Sequence, residues 1–163
     1  MTRQRQRAGR ELHPSLNVEE AWLKAVALNA PAKAGAYEGK WMPRVPAASV
    51  DEIWSRVVEA TRAGRLGIGA KVSTRFSNRF SPRSEGADTH VICVYTADCR
   101  DMAEVRRVLV ELRRMGFRER LSYKENGATA ANVYGPGAAL YVAQPDSLEP
   151  ERRREPIPDP EGT

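Results

Sequence analysis

The chain has 163 residues, with 26 Lys and Arg against 21 Asp and Glu, which gives a formal net charge of +5. A chain of this length buries about two-thirds of its unfolded surface, so one domain can fold without disulfides or a structural metal. No apolar run reaches the roughly 18 residues of a membrane span, and no apolar segment follows the basic start, so we expect a cytoplasmic protein with no membrane partner.

Both ends of the chain predict disorder around a single folded domain over residues 17–144. Residues 1–16 contain four Arg, no apolar cluster and a His-Pro break, which indicates a disordered basic arm. Residues 145–163 place five prolines among charged side chains, which indicates a disordered Pro-rich tail.

The domain begins with a helix-start signal. Asn17 followed by Glu20 has the spacing of a capping box and predicts a short helix over residues 18–28, before a linker at 30–35. Residues 39–45 then predict a short strand that ends at a proline.

A second capping box, Ser49 with Glu52, predicts a clearer helix, because apolar residues recur after it at helical spacing until Gly64. Residues 66–73 predict the next strand. After a long polar loop, residues 90–96 are apolar on both faces, which is typical of a central strand.

The second half of the domain predicts one helix and then several strands. Asp101 caps a helix whose apolar stripe ends at Gly116. Strands follow at 121–124, 129–134 and 138–144, and the short turns between them, at Asn126-Gly127 and at residues 135–137, favour antiparallel pairing. We therefore expect an α+β fold: one antiparallel sheet with helices packed on one face and the other face open to a ligand.

One stretch of the chain concentrates positive charge. Between Glu59 and Glu85 there is no acidic side chain, while six basic residues occur there: Arg62, Arg65, Lys71, Arg75, Arg79 and Arg83. Lys71 falls on a predicted strand, and the arginines after it stand among Ser, Thr and Asn side chains that hydrogen-bond oxyanions. Because guanidinium groups match pairs of phosphate oxygens, this stretch predicts either a phosphate-group site or a solvated loop.

Several catalytic classes lack their motifs here. The chain has no GxxxxGK[ST] or GxGxxG loop and no HExxH or CxxC spacing, so nucleotide hydrolysis and metal catalysis are disfavoured and we expect no cofactor. Nucleic acid stays a candidate partner, because aromatic residues interleave with the basic ones. Phe76 and Phe80, four apart in the polar loop, are the two aromatic residues to which we assign a binding role.

Short phrases across the middle of the chain carry a resemblance. They are GKWM at 39–42, VDEIW at 50–54, AT at 60–61, GRLG at 64–67, AKVS at 70–73, VICVYTAD at 91–98 and LSYK at 121–124. In this order they resemble the basophilic-leukaemia-expressed protein family, over roughly residues 39–134. The resemblance implies a fold similar to the messenger-RNA cap-binding initiation factor, a curved antiparallel sheet backed by helices.

The resemblance also implies an activity. Bacterial members of the family are commonly described as phosphothreonine lyases, through a fainter likeness to effector enzymes and to lanthipeptide synthetases. Such a lyase eliminates phosphate from a phosphorylated Ser or Thr and leaves a dehydroamino acid, as in ribosomal peptide modification. It needs a base, a proton donor and cations around the phosphate, but no metal. The better-known lyases carry a Lys-x-His pair, and here Met42 stands where that His would be.

These requirements give the site prediction. Lys71 is the expected base, and Lys40 is an acid or a polariser of the substrate carbonyl group. The expected phosphate clamp consists of Arg44, Arg75, Arg79 and Lys124. The candidates for the missing acid are His90, Tyr95 and Lys40, unless the phosphate leaves unassisted.

The expected partners are a phosphorylated peptide and the kinase that makes it. The alternative function is a non-catalytic module that binds a phosphorylated peptide or RNA on the same cationic concave face. General RNA binding predicts an affinity that falls steeply with added salt.

Overall fold

A computed structural model describes residues 12–80 and 88–162 of the chain, with only the backbone of Arg79 and Phe80. The described residues form eight strands: β1 Trp22–Val26, β2 Gly39–Trp41, β3 Arg44–Pro46, β4 Gly69–Ser73, β5 Thr89–Thr96, β6 Leu121–Glu125, β7 Tyr141–Ala143 and β8 Glu151–Arg152. They also form four helices: α1 Val50–Arg62, α2 Arg75–Phe80, α3 Met102–Arg114 and α4 Asn126–Ala130.

The strands form one open antiparallel sheet in the order β1-β4-β5-β2-β6-β7-β8. β5 is central, as predicted, because it pairs with β4 on one side and with β2 and β3 on the other. β2 and β3 follow β5 in one register, since Trp41 lies opposite Val94 and Arg44 lies opposite Val91. β1 forms one edge of the sheet.

α1 and α3 cover one face of this sheet. Apolar residues on alternate positions of the strands are fully buried beneath them, including Val72, Ile92 and Val94. Trp41 is also fully buried, and its indole Nε1–H donates a 3.0 Å hydrogen bond to the carbonyl oxygen of Val105 in α3. The predicted α+β fold with one antiparallel sheet is therefore confirmed, and its two longest helices, α1 and α3, pack on one face.

The two capping boxes at the core helices differ in the structure. The Asp101 side chain accepts a hydrogen bond from the backbone N–H of Glu104 at the start of α3. Ser49 precedes α1, but its hydroxyl donates to the Pro46 carbonyl oxygen at 3.4 Å and makes no cap hydrogen bond. The start of α1 is thus fixed by its buried apolar face, not by the side-chain cap.

The predicted helix over residues 18–28 is wrong, because β1 lies there. Asn17 Oδ1 does accept a hydrogen bond from the Glu20 N–H (2.9 Å), but the bond closes a turn and no helix follows. Burial in β1 has a period of two: Leu23 and Ala25 are buried and the residues after each are exposed. A local turn signal was present, and pairing with β4 decided the structure that follows it.

Two further short helices replace predicted loop and strand. α2 forms at the start of the polar loop, and α4 covers the predicted Asn126-Gly127 turn and the first two residues of the predicted strand at 129–134, where no strand forms. Gly127 permits a close approach, since a Cβ there would lie 1.8 Å from the Ile157 carbonyl oxygen. In the described part of the chain, no helix has the length and hydrophobicity that crossing a bilayer requires.

The C-terminal segment, for which the composition predicts disorder, is ordered to residue 162. β8 pairs with β7 and extends the sheet. The Arg154 guanidinium donates to both carboxylate oxygens of Glu125 (2.8 and 2.5 Å), and the Ile157 N–H donates to Glu125 Oε2 at 3.0 Å. We call residues 153–162 the C-terminal strap. The composition of the strap predicts disorder because it does not reveal that the buried carboxylate of Glu125 anchors it.

The predicted basic arm falls largely outside the described residues, which begin at residue 12. Its last part contacts α1: the Ser15 hydroxyl donates to Asp51 Oδ2 at 2.5 Å, and the Ser15 N–H donates to Asp51 Oδ1 at 3.0 Å. His13 Nδ1 lies 3.5 Å from the same carboxylate. Residues 13–15 are therefore attached to the folded domain.

Candidate functional site

The sheet face opposite α1 and α3 carries four lysines from four strands, with two β5 side chains between them. Residues directly opposite each other in antiparallel strands point to the same face, and so do alternate residues of one strand. The register therefore places these side chains on one face, which we call the lysine face: Lys24, Lys71, Cys93, Tyr95, Lys40 and Lys124.

Lys40 lies at the most enclosed part of the lysine face. Its exposed fraction is 7%, and its Nζ donates hydrogen bonds to Asn126 Oδ1 (3.0 Å) and Thr129 Oγ1 (3.1 Å) of α4. Burial lowers the pKa of Lys40 to about 8, and the charges of Lys71 and Lys124 contribute to the decrease. About a tenth of the Lys40 side chains are therefore neutral at pH 7.

Lys71 and Lys124 are held over aromatic rings. The Nζ of Lys71 lies 4.1 Å from the ring centroid of Trp22, and the Nζ of Lys124 lies 3.8 Å from that of Tyr134. Burial lowers the pKa of Lys71 as well. Among the described residues, neither Lys40 nor Lys71 forms a salt bridge with a carboxylate. Lys40 and Lys71, which have no such salt bridge in the described part of the chain, therefore attract an anion.

A cleft of about 460 Å³ opens between the lysine face and the loop at 30–34. Charged and polar side chains line one part of it: Lys24, Lys71, Tyr95, Glu38 and Asn126. Small residues line the other part: Ala30, Pro31, Ala32 and Ala34. Burial raises the pKa of the Tyr95 phenol, so this group stays protonated and can donate a hydrogen bond. The cleft therefore combines ammonium groups with a phenol donor, a set of groups suited to an oxyanion.

Glu38 brings one carboxylate to the rim of the cleft. Its Oε1 accepts a 3.2 Å hydrogen bond from Asn126 Nδ2. Burial raises the pKa of Glu38, while Asn126 and the charge of Lys40 oppose that increase. Asn126 thus contacts both Lys40 and Glu38, and it connects the anionic rim to the cationic interior.

Four of the predicted site residues are brought together: Lys71, Lys40, Lys124 and Tyr95. The Tyr95 ring lies between two of the lysines, with its centroid 5.9 Å from Lys40 Nζ and 6.0 Å from Lys71 Nζ. Lys71 and Tyr95 line the cleft itself, whereas Lys40 lies behind Tyr95. The predicted base and one predicted acid therefore share one accessible space.

The predicted arginine clamp is not assembled at the lysine face by the described side chains. Arg44 is exposed on β3 and lines a separate cavity of about 350 Å³ near α1. Arg75 is exposed at the first position of α2. The side chains of Arg79 and Phe80 lie outside the described residues, and Phe76 is half-buried in α2. Among the side chains that the structure describes, lysines and not arginines supply the cations of this face.

His90 is placed on the other side of the sheet. Its ring is buried, and Nδ1 forms a 2.6 Å hydrogen bond with the carbonyl oxygen of Ser73. His90 lies on the same face of β5 as Ile92 and Val94, which face α1 and α3, and Tyr95 lies on the opposite face. Of the two side chains on β5 predicted as acids, only Tyr95 lies at the cleft.

Sequence reasoning missed several residues of the site. They are Trp22, Lys24, Glu38, Asn126 and Thr129. A period-two pattern after Trp22 was the available signal for β1, and it would have placed Lys24 on one face of a strand. The Asn-Gly pair was instead interpreted as a hairpin turn, which removed Asn126 from consideration.

The fold and site define an α+β domain with an open antiparallel sheet, its two longest helices on one face and four lysines on the other. The family model for basophilic leukemia-expressed protein Bles03 matches residues 2–129. The chain belongs to this family, which confirms the resemblance found in the sequence. All four lysines of the lysine face fall inside the matched residues, while β7, β8 and the C-terminal strap lie beyond them.

Proposed function

We propose that the protein is a phosphothreonine/phosphoserine lyase-like enzyme that eliminates phosphate from a phosphorylated peptide held at the lysine face. One observation carries the proposal: Lys71 and Lys40 share one face, have lowered pKa values and lack carboxylate salt bridges among the described residues. A doubly charged phosphate ester is the ligand class that such a cluster favours.

Lys71 is the proposed base because it lines the cleft and its pKa is lowered by burial. Its neutral amine takes the proton from the Cα of the phosphorylated residue. The electron pair of that C–H bond forms the Cα=Cβ double bond, and the Cβ–O bond breaks toward the phosphate. Tyr95 donates its proton to the departing oxygen, and the Lys71 ammonium and Tyr95 phenolate then exchange a proton through solvent.

Lys40 and Lys124 do not line the cleft, so in this proposal they act at longer range, by adding to the positive potential of the lysine face. Lys124 is held over the Tyr134 ring. Lys40 is fixed by its two hydrogen bonds to α4, so its ammonium contributes to this potential without moving.

A second function is favoured by one specific contact. The Trp22 ring, 4.1 Å from Lys71 Nζ, favours the ammonium form, which binds phosphate but cannot accept a proton. A non-catalytic module that binds a phosphorylated peptide or RNA would use the same lysine face. This reading also fits Met42 at the position where the resemblance expects a proton-donating His.

The test is incubation of the full chain with a phosphothreonine peptide, followed by mass spectrometry. Elimination removes phosphoric acid and leaves an alkene, hydrolysis leaves the alcohol, and a binding module leaves the peptide intact. Lys71→Ala is expected to abolish elimination, and Lys33→Ala, at an exposed position of the 30–34 loop, is expected to retain it. Full elimination by Lys71→Ala would show that the base is another group.

A further inference from the structure

The edge strand β1 has hydrogen-bonding groups that no described residue satisfies. The backbones of Ala21 and Ala27 face β4, because Thr74 N–H donates to the Ala21 carbonyl oxygen and Ala27 N–H donates to the Ile68 carbonyl oxygen. Facing alternates along an antiparallel strand. The N–H and C=O groups of Trp22, Lys24 and Val26 therefore point away from the sheet, and we call this side of β1 its free edge.

The three residues with outward backbone groups also carry side chains of the lysine face or its margin. Trp22 lies under the Lys71 ammonium, Lys24 is opposite Lys71 in the register, and Val26 lines the cleft. The Lys71 side chain leans toward β1, since its Nζ is 4.1 Å from the Trp22 ring centroid. The free edge and the cationic cleft are therefore parts of one surface.

We propose that the free edge of β1 binds the phosphorylated peptide as an added strand, with the phosphorylated residue opposite Lys24. The inference rests on the proposed function and specifies how its substrate is held. Neighbouring strands lie about 4.8 Å apart, and opposite side chains point to the same face. The phosphate would thus continue the cross-strand row of Lys24, Lys71 and Cys93.

Charge favours a phosphorylated strand over a second copy of this chain. Two β1 edges paired about Lys24 would bring two ammonium groups together, and like charges opposite each other are unfavourable. A phosphorylated residue reverses the sign of that interaction. Next to Lys24, Val26 and Leu28 have exposed fractions of 64% and 97%, which offers apolar surface to the neighbouring side chains of the peptide.

Strand addition predicts how recognition divides between backbone and side chain. Main-chain hydrogen bonds supply affinity without reading sequence, and one side-chain position, the phosphorylated one, supplies selectivity. The ligand class is therefore an extended segment with a phosphorylated Thr or Ser and little constraint on its neighbours.

The first test is a backbone N-methyl scan of a heptapeptide with a central phosphothreonine and three alanines on each side. Only alternate N–H groups of an added strand face β1. We expect N-methylation one and two residues after the phosphothreonine to differ by at least tenfold in Kd, in whichever direction the strand runs. Equal effects at these two positions would overturn the added strand.

The second test is Val26→Pro. The Val26 N–H points outward, so proline removes a donor from the free edge and leaves the β1–β4 hydrogen bonds in place. We expect at least tenfold weaker binding of the heptapeptide with unchanged binding of inorganic phosphate, and thermal unfolding checks the fold. Equal losses for both ligands would refute the role of the edge.

The outcomes separate this inference from the proposed function. If the unmethylated heptapeptide does not bind, the proposed function fails and the added strand fails with it. If that peptide binds and loses phosphate but the N-methyl scan does not alternate, only the added strand fails.

Discussion

Replacing Lys40 with Met removes a buried ammonium and changes how the free energy of unfolding depends on pH. Burial lowers the pKa of Lys40 from its ordinary value of 10.5 to about 8, a difference of about 2.5. At roughly 1.4 kcal/mol for each tenfold change in proton affinity, the charged group costs the folded state about 3 kcal/mol at pH 7. Lys40→Met also loses the hydrogen bonds to Asn126 and Thr129, and each loss lowers the stability of the variant by about 1 kcal/mol.

The sign of the pH dependence follows from the two pKa values of Lys40. Below about pH 8 the folded and unfolded chains are both protonated, so the folded chain carries the full cost of the buried charge. Between about 8 and 10.5 the unfolded chain binds the proton and the folded chain does not, so stability rises with pH. The free energy of unfolding of Lys40→Met relative to the wild type should therefore fall by about 2–3 kcal/mol from pH 7 to pH 10, so that the variant is the more stable protein at pH 7 and the less stable one at pH 10.

The assay is urea unfolding of the wild type and Lys40→Met at both pH values. Subtracting the wild-type value at each pH removes the contribution of the other titrating groups. Lys33→Met is the matched control, because Lys33 is exposed and its replacement removes no buried charge. A difference for Lys40→Met that is the same at both pH values, within about 0.5 kcal/mol, would refute the burial argument.

Three further predictions concern stability and use urea or thermal unfolding. Arg154→Ala leaves a fully buried carboxylate without its cation and should cost about 3–5 kcal/mol, whereas the exposed Arg153→Ala should cost less than about 0.5. Gly127→Ala places a Cβ against the C-terminal strap and should cost about 1–3 kcal/mol; an unchanged midpoint would mean that the strap moves freely. Asp101→Ala should cost about 1 kcal/mol and Ser49→Ala about half of that or less, because only the first side chain caps its helix. Equal costs at the two caps would contradict the hydrogen bonds seen there.

Strong periodicity made most of the helix-and-sheet core predictable. α1 and α3 have apolar stripes that pack on the sheet, and the apolar run of β5 matches its central place in the sheet, with β4 on one side and β2 and β3 on the other. β1 was missed because its five residues carry a preceding turn signal and only a weak alternation. Its pairing with β4, more than 40 residues away in sequence, settled the outcome.

Site residues could be predicted from the sequence where the strands that carry them were predicted. Lys40, Lys71 and Lys124 fall on predicted strands, so their shared face could be anticipated. The arginines after Lys71 were predicted to hold the phosphate because they are dense in the sequence and stand among polar side chains. Spatial neighbours depend on register, which a charge count does not contain.

The carboxylate of Glu125 sits between Lys124 and Asn126 in sequence, and its partners come from residues 154–157. Because synthesis starts at the N-terminus, Glu125 is made before Arg154, and during this interval its carboxylate has no guanidinium partner. Entering the interior during that interval would mean desolvating a lone charge, so Glu125 should stay hydrated until the strap arrives. The two neighbours of Glu125 that belong to the site, Lys124 and Asn126, thus depend for their anchorage on a segment made about 30 residues later.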